Sequence, residues 1–222
     1  ELIANAWDAM ATNVKVSLPF NRPLKNSDEI IVEDDGHGMT YEECDKKYLV
    51  VGRDRRKQER DLSQAYKKIK RRKLMSRKGI GKLAGFGIAT KVEVKTVKDG
   101  KTTHFLMDFD EMTRGDEYVR NYEPKLLSTN GKSTNEKPGT RITLRNLKIS
   151  KPINEDAFRP SMARRFAILS DPDFSILLNG KRIKKGEMLL QYRYPRKVGH
   201  WNSDAIKGAG TIKWWVGFTE KP

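Results

Sequence analysis

At 222 residues, with 36% hydrophobic content and four Trp, the chain is long enough to bury the core of one ordinary domain, or one and a part, which excludes a disordered tail. No apolar run approaches the roughly 18 residues that span a bilayer and no charged-then-apolar leader opens the chain, so a soluble, cytoplasmic protein with no membrane partner is expected, a nuclear or nucleoid-associated location staying open. The formal charge of +16 is uneven: Arg53 to Lys82 carries fourteen Lys or Arg against three acids, a net +11, and leaves only +5 for the other 192 residues. Such a run attracts phosphates, whether of a nucleotide, a nucleic acid or an anionic surface. The single Cys44 excludes an intrachain disulfide framework and a Cys zinc cluster, and reads as a small, semi-buried helix residue.

Glu1, Asn5 and Asp8 stand at i, i+4 and i+7, one face of a first helix running to about Thr12, with Leu2, Ile3, Ala6 and Met10 forming an apolar stripe opposite. "VKVSLPF" alternates as a strand, "NRPLKNSDE" is turn-rich, and "EIIVED" is a second strand that the following Asp-Gly breaks. Thr40, with Glu43 three residues on, makes a capping box for a short helix over "TYEECDKKYLVVG", ending at Gly52. From Arg53 to Lys78 the chain is very polar, either a loop or a solvated helix.

"GKLAGFGIA" reads as a second buried helix, its small residues allowing close packing, and "KVEVKTVKDGKTTHFLMDF" as a hairpin turning at Asp99-Gly100. Asp110 to Lys137 is irregular, and "GTRITLRNL" is a further strand. "NEDAFRPSMARRFAIL" is helical with a Pro near its start, "FSILLNGKRI" runs as a strand into an Asn-Gly turn, and Met188 to Phe218 is strand-like and rich in Trp and Tyr. Mixed helices, hairpins and crossovers predict an α+β fold, helices on one face of a largely antiparallel sheet. The glycines of "GIGKLAG" follow a basic stretch and no buried parallel strand, so a dinucleotide-binding Rossmann unit is not expected.

Four segments carry chemistry: the acid, amide and acid of "ELIANAWD", the "DDGHGM" turn at Asp34 to Met39, the "RKGIGKLAGFG" loop at Arg77 to Gly87, and "GTRITL". A carboxylate accepts a proton from water, an amide oxygen suits a hard cation, and free N–H groups at a helix start hold phosphates. Together they point to ATP and magnesium. Taken singly, each has an ordinary reading: a solvated helix face, a strand-ending turn, a basic turn, and a Gly-Thr before a strand.

Over residues 1 to 147, these four motifs in this order resemble the GHKL ATPases: DNA gyrase B, the ninety-kilodalton heat-shock chaperones, sensor histidine kinases, mismatch-repair MutL and MORC-type proteins. The wording looks closest to the chaperone-like and MORC-like branch. The resemblance implies a Bergerat-type two-layer sandwich with a mixed, mostly antiparallel sheet. It also implies that Glu1 activates the attacking water, Asn5 carries Mg2+, and Asp8 lies near the nucleotide. Asp34 would accept a hydrogen bond from the adenine amino group, Gly36 and Gly38 would let the backbone pass under the purine, and Met39 would line the pocket. Gly79, Ile80, Gly81 and Lys82 would contact the β- and γ-phosphates, Lys78 and Lys82 would pair with phosphate oxygens, and Thr140 would bond the adenine directly or through water. His37 falls at a variable position and is expected to be structural. Ser76 stands where the family often has Gly, implying a stiffer or displaced lid hinge.

By the same resemblance residues 53 to 82 are a basic ATP lid, residues 1 to 180 an ATP-binding domain lacking its first part, and 181 to 222 the start of a β-rich second domain. A chain that begins without Met, inside a helix, and stops after a strand-like run reads as a piece of a larger protein. Mg-dependent ATP hydrolysis, lid closure and homodimerisation are the implied function. Histidine kinases usually lack the water-activating Glu, so a phosphotransfer kinase is the lesser alternative. A nucleotide-gated module that binds nucleic acid through the basic lid, with little turnover, is the other.

Overall fold

Alternating Val and Ile build the central strands, and two left-handed turns join neighbours into hairpins. The computed structural model describes residues 1–50, 75, 81–114, 122–128, 131–166, 173–184, 187, 202–206, 208, 210–214 and 216, of Lys82 the backbone only. These fall into two compact units, residues 1–153 with 171–182, and residues 154–170 with 183–222.

The first unit is organised by one sheet. Its strands are β1 (Asn13–Ser17), β2 (Ile30–Asp34), β3 (Ala89–Lys98), β4 (Lys101–Asp108), β5 (Lys125–Leu126), β6 (Lys132–Ser133), β7 (Gly139–Leu147), β8 (Ser175–Leu178) and β9 (Lys181–Arg182). Their order is β5-β4-β3-β7-β2-β1-β8-β9, with β6 paired to β4. Every pairing is antiparallel except β1 with β8. The β3–β4 turn has Asp99 at φ 51° and Gly100 at φ 67°, and the β8–β9 turn has Asn179 at φ 46° and Gly180 at φ 79°, the paired positive angles that match strand twist in two-residue hairpins.

Register sorts the side chains into two faces. Val16, Val32, Ile142 and Val94 stand opposite one another across β1, β2, β7 and β3, and all are buried. The reverse face is a ladder of charge. Lys15 and Arg141 flank Glu33 at 3.5 and 3.4 Å. Arg145 bonds Glu93 at 2.7 Å and also meets Glu29, while His104 Nε2 lies 2.9 Å from Glu93.

Helix α1 (Leu2–Asp8) buries Ile3, Ala6 and Trp7, and the Trp7 ring meets Phe174 edge-on at 5.2 Å. It stops at Asp8 rather than running to Thr12. Met10 takes φ 61°, so its N–H turns back to the Trp7 carbonyl and that of Ala11 to Ala6, a Schellman closure built on a residue other than glycine. Helix α2 (Tyr41–Glu43) has the expected reciprocal capping box between Thr40 and Glu43, and continues as a π-helical turn over Cys44–Tyr48. The helix ends at Tyr48, capped by the Leu49 N–H on the Cys44 carbonyl, rather than running to Gly52: Leu49 and Val50 are not helical, and residues 51 and 52 lie outside the described residues.

"GKLAGFG" is helical but of the 3₁₀ type, Gly81–Gly87. A β-carbon on Gly85 would stand 2.8 Å from Leu144 Cδ2 and 3.0 Å from Val92 Cγ2, so the turn lies almost directly on the sheet, and its glycines disfavour an α-helix. Lys148 Nζ caps it at the Phe86 carbonyl, 3.1 Å away. The stretch expected to be irregular holds helix α3 (Phe109–Thr113), capped by Asp108, besides β5 and β6.

The second unit holds α4 (Glu155–Phe166), which accommodates Pro160, and the antiparallel pair β10 (Asn202–Ile206) and β11 (Gly210–Trp214). Within it Asn154 Oδ1 accepts from the Ala157 N–H at 2.9 Å, and Arg159 grips Glu187 through two hydrogen bonds of 2.8 and 3.0 Å.

Candidate functional site

Asp34 ends β2 directly opposite Thr140 on β7, so the second and fourth motifs share one rung of the sheet. Burial pushes the Asp34 carboxyl up to about 6, with Asp35 and Glu33 adding in the same direction, while the Gly36 and Thr140 N–H groups hold it back. The Gly36 bond to Asp34 Oδ1 is 2.9 Å. A half-buried carboxylate with one oxygen so engaged has acceptor capacity left for a ligand N–H.

The turn after Asp34 is fastened to the end of α1. A β-carbon on Gly36 would lie 2.6 Å from the Ala9 carbonyl oxygen, which also accepts the His37 N–H at 3.0 Å. Asp35 accepts four hydrogen bonds of 2.7 Å, from the backbone N–H and side chain of both Thr12 and Asn13. Gly38 takes φ +65° with the Val97 carbonyl where its β-carbon would be. The His37 ring bonds to its neighbour, Nδ1 lying 2.6 Å from the Gly38 oxygen.

Thr96 on β3 joins the motifs from beneath. Its Oγ1 accepts the Met39 N–H at 2.9 Å, donates to the Gly139 carbonyl at 3.0 Å and lies 3.1 Å from Thr140 Oγ1. Sequence reading passed over this residue. The available signal is a hydroxyl in the buried phase of "VEVKTV", in step with Val92 and Val94.

The first and third motifs meet at the other end of α1. Glu1 Oε2 lies 2.5 Å from the place a β-carbon on Gly81 would take, so the carboxylate rests against the glycine turn. Asn5 is half-buried one helical turn along on the same polar face. Asp8 Oδ1 accepts the Met75 N–H at 2.8 Å and so bonds to the chain entering that turn. Among the described residues no three His, Cys, Asp or Glu gather to hold a metal ion by themselves. Lys78, Gly79 and Ile80 lie outside the described residues, as do the Lys82 side chain and, Met75 apart, the basic segment from Arg53. No helix among the described residues is long and apolar enough to cross a membrane.

Residues 1–140 match the family model of histidine kinase-, DNA gyrase B- and HSP90-like ATPases. The chain is 35% identical over 189 residues to a protein of Herpetosiphon aurantiacus named putative type II restriction enzyme HgiDII; the match takes in 84% of this chain and 28% of that relative's length. Among solved structures the ATPase region of Saccharomyces cerevisiae topoisomerase II, bound to ICRF-187 (dexrazoxane), superposes with a TM-score of 0.52 at 17% identity, covering 91% of this chain and 55% of that one. That is a likeness of fold, the Bergerat sandwich with its mixed, mostly antiparallel sheet. The Aquifex aeolicus MutL ATPase domain complexed with ADP gives a TM-score of 0.43 at 17% identity, over 82% of this chain and 59% of that one.

Proposed function

Because the chain belongs to the histidine kinase-, DNA gyrase B- and HSP90-like ATPase family, we propose that it binds ATP with magnesium and hydrolyses it. The observation that supports this reading is the span of α1. Ala9 backs the Asp34–Gly38 turn, and Glu1, eight residues earlier and about 12 Å away at the helical rise, rests on Gly81. That interval is comparable with the reach of a nucleoside triphosphate from base to γ-phosphate.

In this reading Asp34 accepts from the adenine amino group and Thr140 lies beside it, while Gly36 and Gly38 keep the floor free of side chains. The backbone at Gly79 to Lys82, with Lys78 and Lys82, takes the phosphates. Glu1 orients the attacking water and accepts its proton, and Asp8 holds the entry to the phosphate loop. Magnesium, when bound, neutralises phosphate charge; a hard cation that keeps most of its waters asks for few protein oxygens, and the Asn5 side chain supplies one. Closure of residues 53 to 82 over the nucleotide and ATP-driven homodimerisation complete the cycle. Hydrolysis leans on stabilising transition-state charge, so a further cation at the γ-phosphate would raise turnover more than binding.

The test follows label from γ-phosphate-labelled ATP in the chain, in a version extended at both ends, and in Glu1→Ala of each. Free phosphate that is lost in Glu1→Ala supports hydrolysis. Label on protein would replace the reading with a phosphotransfer kinase.

A second reading has its own support: the net +11 of residues 53 to 82, together with 35% identity to a protein named for restriction, favours DNA as client. Nucleotide-gated DNA binding should then weaken steeply with salt and with neutralisation of those lysines and arginines.

A further inference from the structure

A hydroxyl has one proton to give and two lone pairs to receive with, and at Thr96 these are all claimed. The Met39 N–H occupies one lone pair at 2.9 Å. The Gly139 carbonyl, 3.0 Å away, has no proton of its own and takes the one from Thr96. Thr140 Oγ1, 3.1 Å away, is left with the second lone pair, so the shared hydrogen bond runs from Thr140 to Thr96.

Depth gives this direction a consequence. Thr96 has no exposed surface, while Thr140 in the next strand keeps 9%. Thr140 thus spends its proton inward and turns only lone pairs to the side that retains access. Asp34 stands opposite Thr140 in β2, and an ionised carboxylate is also acceptor-only.

We propose that Thr96 is a positioning residue that fixes the Thr140 hydroxyl as an acceptor, giving this wall of the site acceptors alone and selecting a purine with an amino group over one with a carbonyl at the same ring position. The inference rests on the reading of the site as an ATP site. A 6-amino group offers protons to both oxygens, whereas a 6-oxo group places a third acceptor against them, and an unmatched buried acceptor is disfavoured. With Thr96 replaced by an apolar residue the Thr140 hydroxyl rotates freely and can donate.

The experiment is equilibrium titration of the whole chain with the β,γ-imido analogues of ATP and of inosine triphosphate, in magnesium, for wild type, Thr96→Val, Thr96→Ser, Thr140→Val and the Thr96→Val/Thr140→Val pair. Thr96→Val should lower the preference for the amino purine about tenfold. Thr96→Ser should keep the wild-type ratio, and in the Thr140→Val background Thr96→Val should move it no further. Thr96→Ala reads the same ratio if Val does not pack. A wild type that binds neither analogue overturns the ATP reading itself. A wild type that binds the ATP analogue, with a ratio unmoved by Thr96→Val or Thr96→Ala, or shifted by Thr96→Ser, overturns the role of Thr96 alone.

Discussion

Glu1 and Gly81 occupy one another's space: Oε2 of the glutamate lies 2.5 Å from where a β-carbon on the glycine would be, and Cδ 3.5 Å from it. The carboxylate is therefore positioned by the absence of a side chain eighty residues along the chain, in the third motif. Gly81→Ala, modest in size, forces Glu1 to another rotamer. In the proposed hydrolase this variant should lose at least tenfold in kcat, because a small displacement of the base disrupts the attack geometry. ATP affinity, read by titration, should change much less; equal losses in both would place Gly81 in binding rather than in positioning Glu1.

Asp34 gives the site a pH signature. Its carboxyl, raised by burial to about 6 from an ordinary 3.8, must be ionised to accept from an amino group without rearrangement. ATP affinity should accordingly hold above pH 7 and fall through pH 6, approaching tenfold per pH unit below it. Stability runs the other way. A folded pKa above the unfolded one means that the folded state binds the extra proton, so acidification from pH 7 to about 4 stabilises by up to about 3 kcal/mol. Asp34→Asn should lose ATP binding, gain stability at pH 7.5 and flatten the unfolding midpoint across that window. A midpoint with the same slope in wild type and variant would show that Asp34 does not titrate there.

How much of this could be read from residues alone depends on the range of the chemistry. The Thr40–Glu43 capping box and the Asp99-Gly100 and Asn179-Gly180 turns involve neighbours in the chain, and the structure has each where the sequence put it. The nine-residue "GTRITLRNL" strand was legible for the same reason. The end of α1 was not, because Met10 adopts a left-handed angle that its side chain does not favour and tertiary packing has to impose. Thr96 and the Asp35 clasp were also hidden: their partners lie 20 to 60 positions away and come together only when the strands take their register. Lys78, Gly79 and Ile80 were named for phosphate contact from resemblance, and that assignment remains part of the proposal.

Gly38 is the position in the "DDGHG" turn where substitution should hurt folding most. It combines a φ of +65° with the Val97 carbonyl group on the side a β-carbon would take, and Gly139 O at 3.2 Å. Both obstacles are backbone, which cannot rotate away as a side chain does. Gly38→Ala should destabilise by about 3 kcal/mol, the sum of left-handed strain and displacement of β3 from the turn. Thermal unfolding measures it. Gly87→Ala, with open space around its site, is the matched comparison and should leave the midpoint nearly unchanged.

Asp35 should act on the site without touching a ligand. Its carboxylate gathers both backbone N–H groups at the α1–β1 junction, besides the Thr12 hydroxyl and the Asn13 amide, and these bonds draw its pKa below the ordinary carboxylate value against the opposing effect of burial. A lowered folded pKa means stability that is present above the ordinary Asp range and lost as pH falls through the folded value. Asp35→Asn keeps the shape but substitutes donors at one oxygen position, where the junction also offers donors, so about 2 kcal/mol should be lost at pH 7 and less as the pH falls below the ordinary Asp range. Because the same junction anchors the end of α1 against Gly36, the variant should also weaken ATP binding severalfold while Asp34 is intact. Urea unfolding at pH 7 and pH 3, set beside an ATP titration at pH 7, separates the outcomes. Lost stability with unchanged affinity would make the clasp a prop for the fold alone, whereas loss of both would make the helix–turn junction the element that holds Glu1 and Asp34 at their working separation.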